Sequence, residues 1–374
     1  MKGRNPRMRK LLLAATACAA LGAAAGTASA QDVIKLANGN PVKGRISRLT
    51  SKDLTYSEGG KAVTLRRGEY TEVVLADPPP SLPRANTARG EQRWEKAFAW
   101  YEEALKEVAS NKRPDLHKQF IFWDWADALK GKGDADGALN MLQRLRKECG
   151  DCHLRPDAYR RALEFAKAKG ATPYRAILEE MKAEPEPLGG EAELELANIA
   201  FTGAAYEEAL GLFTKLSTKP EAAYAAAARL GIFRCLKALQ KTADLEALCQ
   251  KVLAGKGDGA PALAQAAAAW SARSMLVKAG KDKAKVRDAF LVAARAIAVG
   301  PPDRRDEAED YVEALRVAAK CSSVLGETAA GAEQKAEYRS RAAGYLTEIV
   351  RVYKGSKWEE SAQLELKELG VEDK

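Results

Sequence analysis

The feature that most constrains the fold of this chain is the stretch Gly203–Leu216, which reads GAAYEEALGLFTKL. Its apolar residues are spaced three or four positions apart, at Tyr206, Ala209, Phe213 and Leu216. This spacing places them on one face of an α-helix. The small side chain of Ala209 lets a neighbouring helix approach closely on that face. A second helical run, Glu191–Phe201, precedes Gly203. Gly203 breaks the chain between the two helices. The stretch therefore predicts the second helix of a helix–turn–helix unit.

The same pattern recurs along the chain, which indicates a repeat protein. The small position of each second helix aligns at Ala97, Ala138, Ala176, Ala209, Leu248, Ala289 and Ala342, in steps of 33 to 53 residues. This pattern of a large–small pair, a turn glycine, an aromatic residue and an alanine three residues later resembles the tetratricopeptide repeat. The resemblance covers roughly residues 90–370. It implies stacked helix pairs that serve as a scaffold, and it specifies no particular partner.

The predicted fold is mainly α: a tetratricopeptide-like α-solenoid of antiparallel helix pairs over residues 88–370, preceded by a small β module. We predict a lead helix over about 88–110 and a final helix over 356–369. Six helix pairs are predicted between them, at 113–131/134–148, 155–169/172–184, 189–202/205–217, 219–240/243–254, 260–279/282–298 and 303–326/331–354. No single pair can bury its own apolar face, so stacking against the neighbouring pairs is expected to supply the stability.

The first 30 residues have the three parts of a secretory signal. A basic run is followed by the apolar segment Leu11–Ala25 and by the small-residue site Ala28–Ala30. We predict cleavage before Gln31, export, and no membrane span in the mature chain. The residues before Cys18 resemble a lipobox, which leaves a lipid anchor at Cys18 as an alternative.

In residues 31–76 apolar side chains alternate with charged or small ones, which is the two-residue period of β-strands. Five short strands are predicted, at Val33–Ala37, Val42–Leu49, Leu54–Ser57, Lys61–Arg66 and Thr71–Leu75, with turn residues between them. The run LANGNPVKGRI resembles the small SH3-like or Sm-like β modules at the head of some bacterial envelope proteins. We predict a small barrel-like docking unit, with peptide or nucleic-acid binding as the alternative. The proline-rich residues 77–87 are predicted to be a semi-rigid linker.

The charge gives no reason to expect a nucleic-acid partner. The predicted signal holds five basic and no acidic residues, so its removal lowers the net charge from +9 to +4, and the remaining charges are mixed along the helices. The C-terminal stretch LTEIVRVYKGSKWEESAQLELKEL resembles the repeat ends of bacterial envelope tetratricopeptide proteins, among them outer-membrane-assembly lipoproteins and Tol–Pal-associated periplasmic coordinators. The resemblance implies a protein or peptide partner in the cell envelope.

One motif carries a specific chemistry. Residues 149–153, CGDCH, match the attachment sequence of c-type haem, in which Cys149 and Cys152 bond to the porphyrin and His153 is an axial ligand. A local disulfide between Cys149 and Cys152, or free thiols, is the interpretation that we favour. Redox catalysis by the pair is a third alternative, although the βαβ context of thioredoxin-like proteins is missing.

The rest of the sequence contains no catalytic motif. The whole chain has two histidines, His117 and His153, and it has no HExxH sequence and no phosphate-binding loop. Phe120 and Trp123 lie on the face opposite the apolar stripe of their helix, where they are candidates for aromatic residues of a ligand groove or for packing against the preceding repeat. We therefore expect a non-catalytic protein-binding scaffold with no cofactor and no metal, and a haem-bearing electron carrier or sensor is the alternative.

Overall fold

The computed structural model describes residues 31–111, 113–219, 222–256 and 260–371. The predicted signal peptide and Cys18 lie outside these residues. The chain divides into two compact units, residues 1–168 and 169–374, which are described separately below.

The N-terminal part of the first unit is a five-stranded antiparallel sheet, at the positions where the alternating pattern predicts strands. Its strands are β1 (Asp32–Leu36), β2 (Pro41–Leu49), β3 (Asp53–Glu58), β4 (Lys61–Arg66) and β5 (Tyr70–Val74). They lie in the order β4-β3-β2-β1-β5, so β4 and β5 are the edge strands. The inward-facing residues Ile34, Ile46 and Leu54 are fully buried and form the core of this module.

Five helices follow in the first unit. They are α1 (Ser81–Gly90), α2 (Trp94–Val108), α3 (Pro114–Lys132), α4 (Ala135–Glu148) and α5 (Arg155–Lys169). Helices α1 and α2 pack together through Ala85, Ala97 and Tyr101, all fully buried. The limits of α3 and α4 agree with the predicted ranges 113–131 and 134–148 to within one residue. Gly133 in left-handed conformation ends α3, and the Asp134 side chain accepts a hydrogen bond from the Gly137 amide at the start of α4.

The predictions of a linker at 77–87 and of a lead helix at 88–110 are wrong in their boundaries. The chain is already helical from Ser81, and the predicted lead helix is two helices, α1 and α2. Pro83 does not prevent α1, because it lies in the first turn, where the backbone N–H groups have no partner within the helix. The break between the helices follows Gly90, where Gln92 adopts a φ of 57°. An additional helix pair therefore precedes the six predicted ones.

A buried ion pair joins the sheet to the helices of the same unit. Asp32 is fully buried in β1, and its carboxylate accepts hydrogen bonds from the amides of Ile46 and Ala76 at 2.7 and 2.6 Å. Arg113, just before α3, donates to Asp32 Oδ1 at 3.0 Å. Its guanidinium also donates to the carbonyls of Ile46 and Ala76 at 3.2 and 3.0 Å. Each oxygen of the Asp32 carboxylate thus accepts two hydrogen bonds, one from a backbone amide and one from Arg113. Such additional hydrogen bonds are the condition for a buried ion pair to be tolerated.

The second unit is helical. Its α-helices are α6 (Ala171–Met181), α7 (Leu188–Thr202), α8 (Tyr206–Ser217), α9 (Ala222–Ala238), α10 (Thr242–Lys251), α11 (Pro261–Ala279), α12 (Lys283–Ala298), α13 (Glu309–Glu327), α14 (Ala332–Val352) and α15 (Lys357–Glu368). A π-helical turn, Val252–Lys256, and a 3-10 turn, Arg305–Glu307, add to these. Helices α7 and α8, α11 and α12, and α13 and α14 pack as pairs. The predicted helix pairs and final helix of this unit therefore agree with the structure within a few residues, except that α13 begins six residues later than predicted.

The small positions explain how closely these helices approach. Ala209, Ala289 and Ala342 are fully buried in the helix contacts. Two other positions differ from the prediction, because Ala176 is exposed and Leu248 is half-buried. In α10 the small buried residue is the neighbouring Cys249. The repeat pattern thus holds for most of the aligned positions and fails in the shorter helices α6 and α10.

None of the helices in the described ranges is both long enough and apolar enough to cross a membrane.

Candidate functional site: the Cys149–His153 loop and the cleft beside β5

The CGDCH motif occupies the turn between α4 and α5. Helix α4 ends at Glu148, and Cys149 caps it. Gly150 then takes a φ of 57°, the left-handed conformation that commonly reverses the chain after a helix. Helix α5 begins at Arg155, whose guanidinium donates to the Gly150 carbonyl at 2.9 Å. The turn therefore brings both cysteines of the motif together between two helix ends.

The two thiols form a hydrogen-bonded pair inside the protein. Cys149 is 8% exposed and Cys152 is 2% exposed, and they are not bonded covalently to each other. The thiol of Cys149 donates to the sulfur of Cys152, which raises the pKa of Cys149 and lowers that of Cys152. The amides of Arg155 and Leu154, at the start of α5, lower the pKa of Cys152 further. Cys152 is thus the sulfur that loses its proton first, and the predicted disulfide stays a prediction.

The β module contacts the same loop through His153. Tyr70 Oη lies 3.1 Å from His153 Nδ1, and the two ring centres are 5.5 Å apart. Arg67 donates to the His153 carbonyl at 2.6 Å and pairs with Asp157 of α5 at 2.6 Å. Burial, with a smaller effect of the Arg67 charge, lowers the pKa of His153 to about 4. The imidazole is therefore neutral at pH 7.

The β module also holds the middle of the loop. The amide of Ser51 donates to Asp151 Oδ1 at 3.1 Å. Arg67 reaches back to the Ser51 carbonyl at 3.4 Å. The loop is therefore fastened to the module on both sides of Cys152.

This arrangement does not fit a covalently attached haem. Thioether formation needs both sulfurs to be accessible to the porphyrin, whereas Cys149 and Cys152 are buried and His153 packs against Tyr70. The haem alternative thus requires the loop to open, and it stays a prediction. Within the described parts of the chain, no cluster of three or more histidine, cysteine or acidic residues has a geometry that could hold a metal ion.

Phe120 lines a cleft of about 470 Å³ along β5. The cleft touches Glu72, Val73 and Val74 of β5 and the adjacent Leu75. Successive residues of a strand point to opposite faces, so a cleft that touches all four runs along the edge of the strand. Among the described residues β5 pairs only with β1, and Val74 is 53% exposed at this edge. Phe120 also packs against the core of the β module.

The floor of the cleft contains polar groups. His117 of α3 is 1% exposed, and its Nε2 has no hydrogen-bond partner within the described residues. Burial, together with the charge of Arg113, lowers the pKa of His117. Asp124 accepts from Asn86 at 3.0 Å and pairs with Arg89 at 3.2 Å, while its burial raises its pKa. The cleft therefore combines apolar walls with one unused imidazole nitrogen.

Trp123 has a different environment. The guanidinium of Arg161 lies 4.5 Å from the centre of its ring, a cation–π geometry, and Arg161 also pairs with Asp127. The structure thus places Phe120 and Trp123 in separate surroundings, Phe120 against the β module and Trp123 against Arg161 of α5. Their role in ligand binding stays a prediction.

The sequence pattern does not predict which residues of the β module contact the loop, namely Ser51, Arg67 and Tyr70. These residues are 83 to 100 positions from their partners in the loop. No periodic pattern connects positions so far apart. A local signal exists only for Tyr70, an aromatic residue directly before the predicted strand Thr71–Leu75.

The chain matches no protein-family model, and it matches no curated protein. Among solved structures it is similar to a tetratricopeptide repeat protein from Parabacteroides merdae ATCC 43184, with a TM-score of 0.35 and 13% sequence identity. The similarity covers 78% of this chain and 98% of that chain. It is too distant to support an argument about function.

Proposed function

We propose that this chain is a non-catalytic, exported scaffold of the cell envelope that binds segments of other proteins. The observation that supports this proposal is an array of helix pairs packed through small buried residues, joined to a sheet with an open edge. Packed helix pairs present exposed helix faces, and such faces commonly serve as binding surfaces in repeat proteins. The haem alternative has less support, because the sulfurs of Cys149 and Cys152 are buried.

The cleft beside β5 is the place where we expect a partner segment to bind. An edge strand has backbone N–H and C=O groups that an extended peptide can pair with, and the side chains of the peptide then enter neighbouring pockets. Leu75, Leu82 and Phe120 supply apolar walls, and the exposed carboxylate of Glu72 lies at the strand. We therefore expect an extended segment with apolar side chains and a basic residue.

Site-specific photocrosslinking tests this proposal. A photoreactive amino acid at Val74 should capture the partner from an envelope fraction, and the same amino acid at Thr64, exposed on the opposite edge strand, should not. Val74→Glu should abolish co-purification of the captured protein, and Thr64→Glu should leave it unchanged. Equal capture at both positions, or a Val74→Glu variant that retains the partner, would contradict binding at this cleft.

Two further measurements address the location and the alternative. Fractionation and N-terminal sequencing should find the protein outside the cytoplasm with Gln31 as its first residue. Absorption spectra of protein produced in a host that matures cytochromes c should show no Soret band. A covalently bound haem that is lost in Cys149→Ser would replace the scaffold proposal by the electron-carrier alternative.

A further inference from the structure

We propose that Cys149 and Cys152 form a reversible disulfide site and that the β module controls access to it. This inference is independent of the proposed scaffold function, since it concerns the α4–α5 turn and its contacts with Ser51, Arg67 and Tyr70.

The first observation is the mutual position of the two sulfurs. Cys149 caps α4, Gly150 reverses the chain at a φ of 57°, and both cysteines are buried on the two sides of this turn. Their thiols also interact through a hydrogen bond, so disulfide formation requires only a short approach of the two side chains. None of the other cysteines in the described residues, Cys235, Cys249 and Cys321, is in such a pair, because each is buried on a separate helix.

The second observation is the asymmetry of the pair. Cys152 lies three residues before Arg155, the first residue of α5, and its carbonyl accepts the Arg155 amide at 3.2 Å, whereas Cys149 lies at the C-terminal end of α4. The hydrogen bond from Cys149 and the amides of this helix start lower the pKa of Cys152. Amides at a helix start stabilise a thiolate, and the thiolate is the form that attacks a disulfide. Cys152 is therefore the nucleophile, and Cys149 is the thiol that resolves the intermediate.

The third observation is that the β module holds the loop residues on both sides of Cys152. Cys152 is 2% exposed, so its thiol cannot meet a disulfide in solution unless the loop opens. Opening has to break the contacts of Ser51 with Asp151, of Arg67 with the His153 carbonyl, and of Tyr70 with the imidazole. The strength of these contacts thus sets the fraction of time in which the thiols are accessible.

The chemistry is thiol–disulfide exchange with a small disulfide such as oxidised glutathione. The Cys152 thiolate attacks one sulfur of glutathione disulfide, which forms a mixed disulfide and releases one glutathione thiolate. Cys149 then loses its proton to solvent and attacks the Cys152 sulfur, which releases the second glutathione thiolate. The two protein thiols are oxidised to one disulfide, and one glutathione disulfide is reduced to two glutathione molecules. Excess reduced thiol reverses both steps.

The test measures alkylation of each cysteine in the purified protein by N-ethylmaleimide and peptide mass spectrometry. Arg67→Ala should raise the rates at Cys149 and Cys152 by about tenfold, as expected when opening no longer breaks a charge-assisted hydrogen bond. Tyr70→Phe removes only a hydroxyl and should raise the same two rates by a smaller factor. Arg66→Ala, a neighbouring arginine with an exposed side chain, is the matched control and should change nothing.

The thiols of the second unit are the internal reference. The rates at Cys235, Cys249 and Cys321 should stay unchanged in all variants. Rates that rise equally at all cysteines would show general destabilisation and overturn the proposed gate, as would unchanged rates at Cys149 and Cys152 in both Arg67→Ala and Tyr70→Phe.

The reversible disulfide is tested by the same mapping. Oxidised glutathione should remove the mass of two hydrogens from the peptide that contains both cysteines, and dithiothreitol should restore it. Cys149→Ser should trap glutathione on Cys152, because the resolving thiol is missing. Failure to form the intramolecular bond, or glutathione trapped on Cys149 in Cys152→Ser but not on Cys152 in Cys149→Ser, would overturn the assignment of roles.

Discussion

At the scale of single residues, the first unit depends on side chains that join distant parts of the chain. Asp32 and Arg113 are 81 positions apart, and together they bind the backbone of Ile46 and Ala76. Both side chains are charged and buried or nearly buried. They stabilise the fold through the hydrogen bonds that they make to each other and to the backbone. Removal of one partner leaves the other charge buried without compensation.

Asp32→Ala should therefore loosen the β module strongly. The free energy of opening should fall by about 3 kcal/mol, the lower end of the range for breaking a buried ion pair. Hydrogen exchange of the β1 and β2 amides, followed by mass spectrometry, measures this change. Arg48→Ala is the control, because it removes an exposed arginine that lies 3.9 Å from Asp53. It should change the free energy of opening by no more than about 0.5 kcal/mol. Similar exchange in the two variants would mean that the buried pair does not anchor the module.

At the scale of elements, close packing between helices rests on single small residues. Gly231 of α9 lies against Phe213 of α8, and a Cβ atom at Gly231 would meet the phenyl ring at 2.6 Å. Gly211 of α8 lies in open space, with no atom within 4 Å of such a Cβ atom. Substitution of alanine at Gly211 therefore measures helix propensity alone. Substitution at Gly231 measures helix propensity together with the cost of overpacking.

Gly211→Ala should stabilise the protein by about 0.5–1 kcal/mol, since alanine is the better helix former. Gly231→Ala has the same gain in propensity but has to displace a buried ring, which typically costs about 1–3 kcal/mol, so it should destabilise. Urea unfolding followed by circular dichroism compares both variants with the parent protein. Stabilisation by both substitutions would show that α8 and α9 do not pack as closely as the structure describes.

At the scale of the whole molecule, stability is distributed over many helix contacts rather than concentrated in the cysteine loop. Buried apolar residues occur in the helix pairs of both units, whereas a disulfide between Cys149 and Cys152 would close a ring within a single turn. A ring of four residues removes little entropy from the unfolded chain. Oxidation or reduction of the pair should thus affect the loop and leave the helices folded.

Thermal unfolding of the protein with and without reductant tests this expectation. After mass mapping has established the state of the thiols, reduction should lower the free energy of unfolding by no more than about 1–2 kcal/mol. Circular dichroism should show dominantly helical protein in both states. Loss of helicity on reduction would mean that the Cys149–Cys152 turn holds together more of the first unit than its own loop.

The local structure of this chain follows from its sequence more closely than its long-range contacts do. The five strands and most helices were predictable, for instance α7 and α8 within two residues, because the apolar period of a strand or helix is written in successive residues. Helix α1 was not, because the prolines around Ser81 are typical of extended chain as well as of a first helical turn. The exposed Ala176 was assigned to a buried position, because its spacing from neighbouring repeats does not specify which face of α6 is covered.

The apolar periods of the sequence predict the strands and most of the helices, and the sequence alone shows which residue types are available for chemistry, including the CGDCH motif. The contacts of Tyr70 and Arg67 with His153 of this motif, and the pairing of Asp32 with Arg113, arise only in the tertiary structure. Such contacts join residues more than 80 positions apart, and they follow from the packing of whole elements, which no local period encodes. For the same reason Phe120, a helix-surface aromatic in the sequence, became part of a cleft only when β5 was placed beside α3.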